Sequence, residues 1–149
     1  MTRSLPARAW LCIVAWVMMT APALATANVS CLIDDAFLKF EMEAIAGRTG
    51  PITQVQVGQI QIKPAAAVKL VSPQITFDRT HIIQQWDLDD EMRLQIEVGD
   101  DAAKENVNLV ILARLDKTQD KYSGRYVLKI SRAGETKELK GRIKGCEAG

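Results

Sequence analysis

Between Met92 and Val98 the chain alternates without a break: Met92, Leu94, Ile96 and Val98 are apolar, and Arg93, Gln95 and Glu97 between them are polar or charged. Successive side chains of an extended strand point to opposite faces, so this pattern collects the apolar groups on one face and the polar groups on the other. The same period recurs earlier. Leu38, Phe40, Met42 and Ala44 alternate with Lys39, Glu41 and Glu43, and a helix over that stretch would scatter Phe40 and Met42 away from the side that carries Phe37, Ala44 and Ile45. A chain patterned in this way folds as a sheet with one face on a core.

Turn-forming residues divide the alternation into segments. Gly47-Arg48-Thr49-Gly50-Pro51 reads as a turn. After it, Val55 and Val57 share one phase while Ile60 and Ile62 share the other, which predicts a β-bulge at Gly58. Pro64 and Pro73 bracket a short Val68 to Val71 strand and favour an edge position for it. From Gln74 onward the pattern is a five-strand meander over Ile75 to Gln85, Met92 to Val98, Val107 to Leu115, Gly124 to Ser131 and Thr136 to Lys144, with a helical turn expected within Asp100 to Asn106. Leu109 to Ala113 is apolar on both faces, as expected of a central strand covered twice. The fold class is therefore all-β, with about eight antiparallel strands in a small barrel or sandwich.

Residues 1–27 are set apart by Arg3 and Arg8, the apolar run Trp10 to Met19, and Ala25-Thr26-Ala27 at signal-peptidase spacing. They read as a signal peptide cleaved after Ala27, with Ala23-Leu24-Ala25 offering a second site, and they predict a periplasmic or secreted protein. The fully apolar run is too short for a spanning helix, and no later segment is long enough for one. The expected mature domain, 28–149, has 149 − 27 = 122 residues with 17 Lys and Arg against 18 Asp and Glu. It keeps two of the three cysteines, Cys31 and Cys146, one near each end. In an oxidising compartment two such isolated thiols are expected to pair as a structural disulfide that tethers the ends of a single domain.

Few features carry chemistry. His81 is the only histidine, and its neighbours Asp78, Asp87 and Asp89 give it the makings of a general base, yet the spacing contains no hydrolase, metalloprotease or phosphate-loop motif. Asp87, Asp89, Asp90 and Glu91 resemble calcium-binding oxygens but lack the EF-hand glycine and terminal glutamate. Neither a metal nor another cofactor is expected. Trp86, beside Gln84 and Gln85, is either packing at a strand end or a platform for a sugar ring. Sparse aromatics and a near-neutral charge argue against nucleic acid.

Charge is unevenly placed. From Asp78 to Glu105 there are nine acidic and three basic residues, a net of −6, and from Lys117 to Lys144 nine basic and three acidic, a net of +6. The last hairpin locates part of this positive charge. With Tyr126, Leu128 and Ile130 facing inward on one strand and Leu139, Gly141 and Ile143 on the next, a loop from Arg132 to Glu135 pairs Ser131 with Thr136, Lys129 with Glu138, Val127 with Lys140 and Arg125 with Arg142. Like charges directly opposite one another are unfavourable. Arg125, Lys140, Arg142 and Lys144 are therefore the candidate anion- or partner-binding residues. The expected function is that of an exported, non-catalytic binding or accessory protein (an inhibitor, chaperone-like factor or envelope-assembly factor) whose partner is a protein or an anionic envelope component. The alternatives are a barrel carrying an apolar ligand among Leu94, Tyr126 and Leu128, and a hydrolase built around His81.

Overall fold

The structure is a computed structural model that describes residues 26–47, 51–70, 72–88 and 90–148. These form nine strands: β1 (Thr26–Asp34), β2 (Leu38–Gly47), β3 (Ile52–Ile62), β4 (Gln74–Thr76), β5 (Ile82–Leu88), β6 (Glu91–Asp100), β7 (Glu105–Asp116), β8 (Lys121–Arg132) and β9 (Glu135–Ala148). They make one sheet in the order β4-β3-β2-β1-β9-β8-β7-β6-β5, and every strand pairing is antiparallel. The fold is the expected all-β one, built as a single sheet curled into a half-barrel. The expected signal segment lies outside the described residues except for Thr26 and Ala27, which open β1. Cleavage after Ala25 leaves that strand whole, whereas cleavage after Ala27 removes the residues paired with Gly47 and Ala46.

Sheet neighbours are also chain neighbours, except where β1 meets β9. The two edge strands, β4 and β5, follow one another in the chain and are joined only by Phe77 to His81. An even number of antiparallel steps separates them through the sheet, so they run in the same sense, as two halves of one bent strand. The single strand expected over Ile75 to Gln85 is thus broken at Asp78, whose carboxylate caps the 3-10 turn Arg79–His81. Across the seam between β3 and β5, side chains stand in for a backbone ladder. The Ile52 amide donates to Gln85 Oε1 at 2.7 Å, and Arg79 Nε donates to the Ile52 carbonyl at 2.6 Å.

Four local expectations change. β1 is a strand beyond those expected, with Val29, Cys31 and Ile33 as its buried alternation. Val68 to Leu70 form no strand, because Pro64 starts a 3-10 turn that ends at left-handed Ala67, while Val71 lies outside the described residues. The extra residue in β3 is Gln56, between Val55 opposite Ala44 and Val57 opposite Glu43, and a second irregularity falls at Thr53. Gly58 keeps its register and instead admits Phe77, whose carbonyl oxygen would lie 2.2 Å from an added Cβ. Finally, Asp101 to Lys104 make a hairpin turn between β6 and β7 rather than a helical one.

The core fills the inside of the curl. Phe40 stacks on Phe77 with ring centroids 5.7 Å apart, and Leu38, Met42, Ile60, Leu94, Ile96, Leu109, Ile111 and Leu128 are buried with them. β7 departs from the expected double burial. Leu109, Ile111 and Ala113 face the core, but Val110 and Leu112 are half-buried on an outer face that no second layer of the described residues covers. The Cys31–Cys146 disulfide joins β1 to β9, where the two cysteines are direct cross-strand partners with Cα atoms 4.0 Å apart.

Candidate functional site

The β8–β9 hairpin turns on two residues, Ala133 at φ 50° and Gly134 at φ 90°, the left-handed pair of a tight hairpin turn. That turn sets the register given by side-chain phase. Ser131 faces Thr136, with hydroxyls 2.9 Å apart, Lys129 faces Glu138, Val127 faces Lys140 and Arg125 faces Arg142. Glu138 takes both nearby ammonium groups, Lys140 at 2.9 Å and Lys129 at 3.5 Å, and the Lys140 hydrogen bond holds its carboxyl below the usual range. Lys140 is therefore neutralised locally. Arg125 and Arg142 are exposed and have no ion pair among the described residues. Lys144 belongs to β9, but its side chain lies outside the described residues.

The register carries this pair into a longer row. Trp86 faces Arg93, Arg93 faces Leu112, Leu112 faces Arg125 and Arg125 faces Arg142, so one line of outward side chains crosses β5, β6, β7, β8 and β9. Trp86 is 53% exposed, a large apolar area to leave in water. Around Leu112 the surface dips into an open groove of about 470 Å³, lined by Trp86, Arg93, Leu112, Arg114, Ser123 and Arg125. Gly124 lets β8 lie close there, because an added Cβ would fall 2.1 Å from the Leu112 carbonyl oxygen. Arg93 and Arg114, like Arg125 and Arg142, lack an ion pair among the described residues.

Carboxylates bound the row on both sides. Glu91, opposite Arg114, lies in the row toward one end of the strands, and Glu97 and Glu138 lie two rows away toward the other. Between these carboxylates and the arginines run the half-buried Val110 and Val127. The acidic and basic stretches of sequence meet where Asp90 pairs with Lys117 at 2.7 Å and Glu105 with Arg132 at 3.1 Å. Sequence reasoning reached Arg125 and Arg142 through the last turn. It missed Arg93, Leu112 and Arg114, since placing them requires the registers of β6 and β7 as well.

The other candidates sit elsewhere. His81 closes the 3-10 turn at the seam, with Nδ1 2.9 Å from Asp78 Oδ1 and 3.2 Å from the Asp78 amide. Asp78 is held down to about 2 by the Thr80 hydroxyl and amide and by His81, all within the turn. Of the acidic cluster, the Asp87 side chain and Asp89 lie outside the described residues, and no group of three metal-ligating residues occurs among the described ones. Tyr126, Leu128 and Leu94, the side chains that a carrier would turn to its ligand, are 0%, 0% and 1% exposed, buried in the core of the described residues.

No family model, curated protein or solved structure matches the chain.

Proposed function

We propose that the protein is an exported, non-catalytic binding or accessory protein that engages an anionic partner through the outer face of β6 to β9. The observation that carries this reading is the direct opposition of Arg125 and Arg142, both in water and neither paired with a carboxylate among the described residues. Two guanidinium groups held side by side repel one another, and an anion that takes hydrogen bonds from both removes that cost. Guanidinium also suits the role better than ammonium, because its planar fork presents paired donors to a carboxylate or phosphate. A filled interior supports a surface role over carriage of an apolar ligand. The disulfide and the signal-like first residues support export.

The test compares wild type with the double variant Arg125→Gln/Arg142→Gln against three polyanions: phosphatidylglycerol vesicles, polygalacturonate and polyglutamate. Wild type is expected to bind at least one of them at low salt and to release it as salt rises. The double variant is expected to bind more weakly, with a smaller salt dependence and an equal or higher melting temperature. Failure of wild type to bind any of the three at low salt, or equal binding by the double variant, overturns the reading.

A further inference from the structure

The row from Trp86 to Arg142 has a shape that narrows the partner further. Neighbouring strands lie ~4.8 Å apart, so four strand steps give a stripe roughly 19 Å long at right angles to the strands. Along it the order is a planar ring, a guanidinium, an apolar gap at Leu112 and then two adjacent guanidinium groups. At β6 the stripe is narrow, since Glu91 bounds Arg93 on one side and Glu97 lies on the other. A broad anionic surface would press its charges against those carboxylates as well as the arginines. The outer wall of a curled sheet is also convex, so a flat bilayer would meet little more than one ridge of it.

An acidic polypeptide fits less well than a chain of rings. β6, β7 and β8 are interior strands of the sheet and pair on both sides, so a peptide laid over them gains no strand addition. An extended peptide repeats its same-face side chains about 6.8 Å apart, matching neither the single strand step between Arg125 and Arg142 nor the double step between Arg93 and Arg125. A chain of uronate rings carries fixed carboxylates and also offers the C–H face of a sugar to an exposed indole.

We infer that this row binds a linear acidic polysaccharide, with Trp86 as the platform for one sugar ring and Arg93, Arg125 and Arg142 as donors to uronate carboxylates. The assignment rests on the anionic-partner reading above and specifies its ligand class. Leu112, half-buried between Arg93 and Arg125, keeps the floor of the groove apolar and thereby strengthens the charged hydrogen bonds at its rim.

The experiment is isothermal titration of the full-length protein with polygalacturonate at two salt concentrations, with neutral dextran, phosphatidylglycerol vesicles and polyglutamate as parallel ligands. Polygalacturonate is expected to bind and dextran not to bind. Arg93→Gln/Arg125→Gln/Arg142→Gln is expected to lose about tenfold or more in affinity and to flatten the salt dependence. Trp86→Ala is expected to weaken binding several-fold with the salt dependence unchanged, because stacking releases no counterions. Lys129→Gln, two rows away in the Glu138 pair, is expected to leave binding intact. Melting curves of every variant verify that each remains folded. Binding of vesicles or polyglutamate without polygalacturonate overturns the polysaccharide assignment and leaves the anionic-partner reading standing. Binding of none overturns both, and full-strength polygalacturonate binding by the arginine variant or the Trp86 variant overturns the role given to this row.

Discussion

The hydroxyl of Tyr126 on β8 donates to the carboxylate of Asp35, 91 positions earlier in the turn between β1 and β2, through space that exists because residue 141 is glycine. A Cβ on Gly141 would lie 2.3 Å from Tyr126 Cε1 and 2.4 Å from Asp35 Oδ2. The ring thus crosses over β9 to reach the β1–β2 turn and ties the two halves of the sheet together from inside. Asp35 in turn accepts from the amides of Phe37 at 2.8 Å and Leu38 at 3.0 Å, which fixes the turn that starts β2.

Two substitutions separate the hydrogen bond from the space. Tyr126→Phe keeps the ring and removes a hydroxyl bonded to a carboxylate, so it is expected to cost about 1.5 to 3 kcal/mol. Gly141→Ala drives a methyl group into both partners and is expected to cost about 3 kcal/mol. Urea unfolding of the two variants measures both. A Gly141→Ala protein as stable as wild type would mean that the ring does not lie across β9.

Stability is expected to fall at both ends of the pH scale because of this pair. Burial pushes the Asp35 carboxyl up, but hydrogen bonds from Tyr126 and from the Phe37 and Leu38 amides, with the Lys63 charge, outweigh it and hold the group below its ordinary value of 3.8. A pKa lower in the folded than in the unfolded chain gives stability that is complete above the unfolded value and lost as pH falls through the folded one, so the acid limb lies below pH 3.8. Tyr126 is shifted the other way, chiefly by burial and then by its bond to Asp35. Its contribution is complete below the ordinary phenol value of 10.0 and is lost as pH rises beyond it toward the raised folded value. Melting temperature against pH checks both limbs, and Tyr126→Phe is expected to reduce the alkaline one.

Ala133 is the residue that fits its backbone worst in the best-anticipated hairpin. At φ 50° its Cβ incurs a left-handed penalty of about 1 kcal/mol that asparagine bears more easily, and Asn-Gly is the favoured pair for such a turn. The Ala133 amide donates to the Lys104 carbonyl at 3.2 Å, a bond that asparagine keeps. Ala133→Asn is therefore expected to raise stability by about 0.5 to 1 kcal/mol and the melting temperature by a few degrees. A lower melting temperature would count against a two-residue turn.

Side-chain phase made the last hairpin legible because one short loop with Gly134 at its end left a single register that keeps Tyr126, Leu128 and Ile130 on the same side as Leu139, Gly141 and Ile143. Elsewhere the same reasoning ran out for identifiable reasons. The break at Asp78 depends on a local capping box that competes with strand pairing, and the glycine at 58, which in sequence signals a bulge, serves by its lack of a side chain the approach of Phe77. Val110 and Leu112 carry the pattern of a covered strand, since apolar residues on both faces are common in buried strands, and sequence does not reveal whether a second layer exists. The arginine row was half legible. Arg125 and Arg142 follow from one loop length, whereas Trp86, Arg93 and Leu112 join them only after three more registers are fixed.

The disulfide closes a short join between strands far apart in the chain. β1 and β9 pair over only Val29 with Ala148, Ser30 with Glu147 and Cys31 with Cys146, yet that contact unites β1 to β4 with β5 to β9. A cross-link spanning 115 positions restricts the unfolded chain by roughly 4 to 5 kcal/mol in the entropy model, an upper figure for what its loss removes. Reduction, or Cys31→Ser/Cys146→Ser, is expected to lower stability by a few kcal/mol and to open this join first. Amide exchange should then quicken at Val29, Cys31 and Glu147 while Leu109, Ile111 and Leu128, buried in β7 and β8, keep most of their protection. Mass spectrometry of alkylated protein before reduction provides the direct check, since labelling of Cys31 and Cys146 in the folded chain would show that the bond is not made.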